Sequence, residues 1–102
     1  MLRDEILAKL RAREAELRAR GVQRMALFGS VARGDNESNS DVDLIADLDR
    51  MIVPNGFGYF GFLDNLRQDL ERFLGRSVDI VTEPVINPRL RFMIERDRVQ
   101  AF

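Results

Sequence analysis

The 102-residue sequence contains no cysteine, no histidine and no tryptophan. Without thiols there is neither a disulfide framework nor a thiolate metal site. Without imidazole there is no Ser-His-Asp triad, no histidine base and no nitrogen ligand for a transition metal. Any chemistry must use carboxylates, hydroxyls and arginines. An excess of either charge is also lacking: 16 basic against 17 acidic residues leave a net charge of -1. That balance argues against a protein that coats nucleic acid by bulk charge, so no direct nucleic-acid partner is expected. No run approaches the roughly 18 apolar residues of a membrane helix, and MLRDEILAKLRARE at the start is charged throughout. Neither a membrane span nor a signal peptide is expected, and the expected location is the cytoplasm. What is present, 45% apolar and 32% charged residues, is the composition of one soluble domain over residues 1–102. Fifteen of the 16 cations are arginine, which reads as a compositional habit more than as a phosphate-binding signal.

Residues 2–20 set Ile6, Leu7, Leu10 and Leu17 on one side of a helical period, with Arg20 and Gly21 as the stop. Val22 to Phe28 reads as a strand covered on both faces. Gly29, Ser30 and Gly34 mark a break with a turn or helical turn, and GDNESNS from Gly34 to Ser40 has the composition of an exposed loop. In the next strand, from near Asp41, alternation sends Val42, Leu44 and Ala46 to one face and Asp41, Asp43, Ile45 and Asp47 to the other. A breaker cluster of Pro54, Asn55, Gly56 and Gly58 precedes a helix from about Tyr59 to Leu74, closed by Gly75. Val78 to Thr82 is a third strand. Asn87 and Pro88 cap and open a last helix through about Arg98, with Leu90, Met93 and Ile94 as its apolar face. Met25, Leu27, Leu63, Leu66, Leu70, Phe73 and Ile94 are the expected core. Twelve residues between the first two strands are at the lower limit for a parallel crossover. The pair is therefore expected antiparallel, in a small mixed sheet of an α/β (α+β) domain flanked by helices.

Antiparallel pairing brings the end of the first strand, Gly29-Ser30, beside the start of the second, Asp41 and Asp43. Two carboxylates two apart leave the same face of a strand, and their repulsion implies a cation in the working state. Oxygen ligands without nitrogen or sulfur select Mg²⁺, with Mn²⁺ as a substitute. Asp79 is the third candidate, since it interrupts an apolar strand where a carboxylate is costly to bury unless paired or on a metal. Taken alone, it also reads as a strand-edge carboxylate facing solvent. Gly29 lets backbone approach a ligand, and the amides after Ser30 suit phosphate oxygens. The aromatics Phe57, Tyr59, Phe60 and Phe62, spaced by glycines, read as a flexible lid, a base-stacking surface or, preferably, a partner contact, or else as plain packing. Asp35, Glu37, Asp47 and Asp49 read as solvated charges.

The stretch LFGSVARGDNESNSDVDLIAD from Leu27 resembles the active-site signature of the DNA polymerase β-like nucleotidyltransferases. The whole chain resembles their minimal stand-alone members, with Val-Asp-Ile-Val as the third strand. The resemblance implies an αβαβαβ core with a mixed sheet. By it, Asp41, Asp43 and Asp79 match the three metal-binding catalytic carboxylates, and Gly29 and Ser30 match the pair that holds the triphosphate. It further implies nucleotidyl transfer with ATP and two Mg²⁺ ions, one on all three aspartates and one on Asp41 and Asp43, with Asp79 as proton acceptor. Arg33 and Ser40 are further candidates for phosphate contacts. Minimal members are typically encoded beside a HEPN-domain toxin and act as its antitoxin by moving AMP onto a tyrosine of it. The expected partners are therefore a nucleoside triphosphate and a HEPN protein. Two alternatives are a non-catalytic antitoxin or scaffold that neutralises by binding, which the intact motif disfavours, and a small-molecule nucleotidyltransferase. The second is disfavoured by the expectation that no residues remain for an acceptor-binding domain.

Overall fold

The structure, a computed structural model, describes residues 1–102. In chain order the elements are α1 (Leu2–Ala12), α2 (Glu14–Ala19), β1 (Val22–Phe28), α3 (Gly29–Arg33), β2 (Val42–Leu48), α4 (Phe57–Leu74), β3 (Val78–Thr82), α5 (Pro88–Asp97) and β4 (Val99–Gln100). The strands form one sheet in the order β3-β2-β1-β4. β1 runs antiparallel to β2, with Leu27 opposite Leu44 and Phe28 opposite Asp43. β3 runs parallel to β2, with Asp43 in register with Asp79. The sheet is therefore mixed, as the loop lengths predict: the short link makes an antiparallel pair, and the connection through α4 makes the parallel one.

Alternation along the strands sorts residues between two cores. Met25, Leu27, Val42, Leu44 and Ala46 pack beneath α1, α2 and α4 against Leu10, Leu17, Leu66 and Leu70. Each fully buried leucine there contributes about 1.5–3 kcal/mol of apolar burial. On the opposite face Ala26, Phe28 and Ile45 meet Val85 and Ile94, the latter from α5, which is the one helix on that side. Val22 shares the first core with Met25 although they are three positions apart, because a bulge between Val22 and Arg24 shifts the register by one. Helix ends follow their chemistry. Gly75 takes a left-handed φ of 71° after α4, and the Asn87 side chain accepts from the Arg89 and Leu90 amides at 3.0 and 3.2 Å.

Four expectations need correction. The single helix over 2–20 is interrupted at Arg13 (φ -106°, ψ 12°). Arg13 and Arg20 both reach Asp69 of α4, at 2.9 and 2.7 Å, an attachment that leaves no mark in the helical period. A fourth strand exists: Gln100 and Val99 pair with Ala26 and Leu27. Two residues carry no periodicity of their own, and they form a strand only because α5 delivers them to the free edge of β1. Phe73 is not core but 37% exposed, with the Arg13 guanidinium 4.6 Å from its ring centre. Met93 is likewise exposed, because α5 turns the stripe Leu90, Ile94 and Asp97 toward the sheet.

Candidate active site

β1 ends at Phe28, opposite Asp43, and the chain turns at once into the single-turn helix α3. Gly29 makes that turn possible. Its φ is +76°, and a Cβ there would lie 2.3 Å from Asp43 Oδ2, so the carboxylate rests against the bare Cα. No side chain caps the first turn of α3, which leaves the amides following Phe28 without side-chain acceptors. Ser30 is half-buried at that turn. Asp79 stands beside Asp43 in the parallel register, and Asp41 immediately precedes β2. The structure thus brings Gly29, Ser30, Asp41, Asp43 and Asp79 to one end of the sheet.

The electrostatics of this corner are unbalanced. Partial burial pushes the Asp43 carboxyl up to about 6, the charges of Asp79 and then Asp41 add to the effect, and Arg33 opposes it. None of the three carboxylates takes part in an ion pair, because the nearby Arg33 is committed to Asp35 and Asp97 at 3.0 and 2.7 Å. An anionic cluster of hard oxygens without a partner is the donor set of a divalent cation. The carboxylates do not converge as a preformed three-residue cage. Mg²⁺ does not require one, since it is normally held by one or two carboxylates with phosphate oxygens and water completing the shell. Of the two sequence readings of Asp79, the structure matches the strand-edge one in position: β3 is an edge strand, so the carboxylate is exposed and carries no burial cost.

The remaining predicted residues are placed differently. Ser40 Oγ accepts from the Glu37 amide at 2.8 Å and so shapes the loop before β2. Arg76 pins the same loop by donating to the carbonyl oxygen of Ser38 at 2.9 Å. Asp35 stays solvent-exposed while pairing with Arg33, and Asp49 accepts from the Met51 amide at 2.9 Å. The glycine-spaced aromatics begin α4, at the far end of β2 from Asp43; Tyr59 shares a hydrogen bond with Thr82, which is in register with Ala46. A residue that sequence reasoning missed is Asp97. Its side chain is 1% exposed. Bonds from Arg96 and from Arg33 hold it below the usual carboxylate range and tie α5 to α3. A signal for it existed: Asp97 falls at the helical spacing of Leu90 and Ile94, so a carboxylate occupies the buried stripe. A cavity of about 220 Å³, lined by Arg24, Asp47, Glu83 and Arg98 among others, lies toward the opposite end of the strands. At the carboxylate corner Asp41 and Asp79 are exposed, and Asp43 and Ser30 are half-buried.

Comparison with known proteins agrees with this geometry. Residues 6–100 match the pattern of the nucleotidyltransferase domain family. A protein of Thermococcus cleftensis named protein adenylyltransferase MntA is 32% identical over 94% of this chain and 92% of its own. A solved structure described as that of an inferred minimal nucleotidyltransferase superposes with a TM-score of 0.66 at 37% identity, over 91% of this chain and 93% of that one. The same fold occurs in a crystal structure described as a toxin-antitoxin with AMP-PNP, with a TM-score of 0.64 at 21% identity over 100% of this chain and 73% of that one. With its carboxylates set around a glycine turn on a mixed sheet, the chain belongs to the nucleotidyltransferase domain family, among its minimal members.

Proposed function

We propose that the chain is a Mg²⁺-dependent adenylyltransferase that moves AMP from ATP onto a tyrosine hydroxyl of a HEPN-type toxin and so acts as its antitoxin. The observation that carries this reading is the seating of Asp43 against Gly29 with Asp41 and Asp79 beside it and no arginine or lysine paired with any of them. The similarity to a named protein adenylyltransferase supports the reaction class, and the AMP-PNP toxin-antitoxin structure with the same fold is consistent with the partner class.

In the reaction the acceptor oxygen attacks the α-phosphorus of ATP. A new O–P bond forms, the bond from the α-phosphorus to the bridging oxygen breaks, and pyrophosphate leaves. Asp41, Asp43 and Asp79 would hold the metal, which when bound neutralises phosphate charge and lowers the pKa of the acceptor hydroxyl. Gly29 lets the polyphosphate approach the backbone, and Ser30 with the first amides of α3 supplies donors to its oxygens. Asp79, exposed at the sheet edge, is open to the incoming acceptor and takes its proton. Ser40 acts here only by shaping the loop that delivers Asp41, and Arg33 would contribute its charge to phosphate from its seat on Asp97.

The test is incubation of the chain with Mg-ATP and the helical protein encoded beside it, read by intact mass. The expected result is the mass of AMP on a partner tyrosine and loss of the partner's ribonuclease activity. An unmodified partner that is neutralised equally by wild type and by Asp41→Asn would replace enzymatic action with binding alone.

A further inference from the structure

The face of the sheet that carries Asp43 has a single helix on it, α5, and the outward side of that helix is uncovered and mixes arginines with apolar side chains. Arg89, Phe92, Met93 and Arg96 follow one another at the spacing of one helical face. Phe92 is 67% exposed, and Ile86 just before the helix is 88% exposed. Residues 86–98 contain four arginines against two acids in a chain whose net charge is -1. Of those acids, Asp97 is buried and Glu95 faces Arg98 at 3.5 Å, so the field outside α5 is positive. Arg89 has no carboxylate partner, and Arg91 reaches only the Val85 carbonyl oxygen. The C-terminal turn of α5 is joined through Asp97 to Arg33, one turn after Gly29. α5 starts beyond Thr82, at the far end of the sheet, and runs toward the site, so a body lying along this stripe reaches the carboxylate corner at its Met93 and Arg96 end.

We infer that the stripe Ile86, Arg89, Phe92 and Met93 is the docking surface for the acceptor protein, which meets it with an apolar segment flanked by acidic side chains. The inference rests on the adenylyl-transfer reading for the identity of the acceptor. Charge complementarity commits the occupant: the cations call for acids, and the isoleucine, phenylalanine and methionine between them call for an apolar ridge. A nucleic acid fits less well, since one aromatic among aliphatic side chains makes no stacking series. The second exposed apolar group, Met51, Ile52, Phe57 and Phe60, lies past the end of β2. Seven residues of strand, about 20 Å, separate that region from the carboxylate corner. A partner held there alone is not positioned at Asp43.

Two variants separate these surfaces: Arg89→Glu with Phe92→Ser and Met93→Ser on α5, and Phe57→Ser with Phe60→Ser on α4. Each is checked for an unchanged thermal midpoint and unchanged Mg-ATP affinity. Each is then titrated calorimetrically with the neighbouring helical protein and assayed for AMP transfer at subsaturating acceptor. The α5 variant is expected to raise the dissociation constant of the complex at least about tenfold, as loss of an aromatic anchor and a charge does. Its transfer rate falls in proportion, and the α4 variant matches wild type in both assays. Unchanged partner affinity in the α5 variant, or loss in the α4 variant alone, overturns the inference. So does a mixed-sequence single-stranded oligonucleotide that binds wild type and fails to bind the α5 variant while partner affinity is unchanged. If wild type forms the complex but adds no AMP, the transfer reading fails while the docking surface is still judged by the dissociation constants. No complex with wild type overturns both.

Discussion

Asp43 should make the metal-free protein less stable as pH rises, and Asp43→Asn should remove that dependence. In the folded chain its carboxyl titrates at about 6, against 3.8 when unperturbed, because burial and then the charges of Asp79 and Asp41 disfavour the ionised form. Between those values the native state binds more protons than the unfolded one, so unfolding free energy falls with pH and the loss is complete above about 6. At about 1.36 kcal/mol per pH unit the ceiling is roughly 3 kcal/mol, and contact of the site with solvent reduces this to roughly 1–2 kcal/mol. Urea titrations in EDTA from pH 4 to 8 read it directly. Relative to Asp43→Asn, wild type should lose that amount between pH 4 and 7. Comparing the two proteins at each pH cancels the carboxylates they share. Adding Mg²⁺ at pH 7 should restore wild type by RT ln(1 + [Mg²⁺]/Kd) and leave the variant nearly unaffected. Parallel pH curves for the two proteins, or equal Mg²⁺ effects on both, would refute the argument that Asp43 is a repelled carboxylate awaiting a cation.

Asp79→Asn should abolish AMP transfer while leaving Mg-ATP affinity within a few-fold by calorimetry; equal loss of both assigns Asp79 to nucleotide binding instead. Gly29→Ala combines a left-handed φ with a Cβ 2.3 Å from Asp43 Oδ2, so it should destabilise by about 1–2 kcal/mol in urea unfolding and lose Mg-ATP binding. Asp97→Ala strips the buried partner from Arg33 and Arg96 and should cost roughly 2–3 kcal/mol by the same measurement. The contribution of Asp97, whose pKa is lowered in the folded state, is present above its unfolded pKa and is lost as pH falls through its folded one.

The elements and motif of this protein were legible because each depends on neighbours in sequence. Alternation in Val42 to Leu48 assigned both faces of β2, Asn87 and Pro88 announced α5, and Gly29-Ser30 with Asp41 and Asp43 marked the site before any fold was known. Even the antiparallel β1-β2 pair followed from loop length alone. Contacts between distant segments left weaker traces or none. Phe73 has helical spacing but meets Arg13 across sixty residues and stays partly exposed. β4 exists only at the edge that β1 offers it.

Sequence by itself determined which side chains carry the chemistry, since carboxylates in a chain without histidine or cysteine leave no other donors and a strand period of two places Asp41 and Asp43 on one face. Tertiary structure alone decided how those side chains are charged and held. Partial burial, and then the charge of Asp79 that the parallel register sets beside it, raise the pKa of Asp43. The Asp97 carboxylate, buried under α5, draws Arg33 into an ion pair. The aromatic segment at the start of α4, which the sequence offers as a partner contact or as packing, lies at the far end of β2 from Asp43, because α4 must run back along the sheet to return β3 parallel to β2.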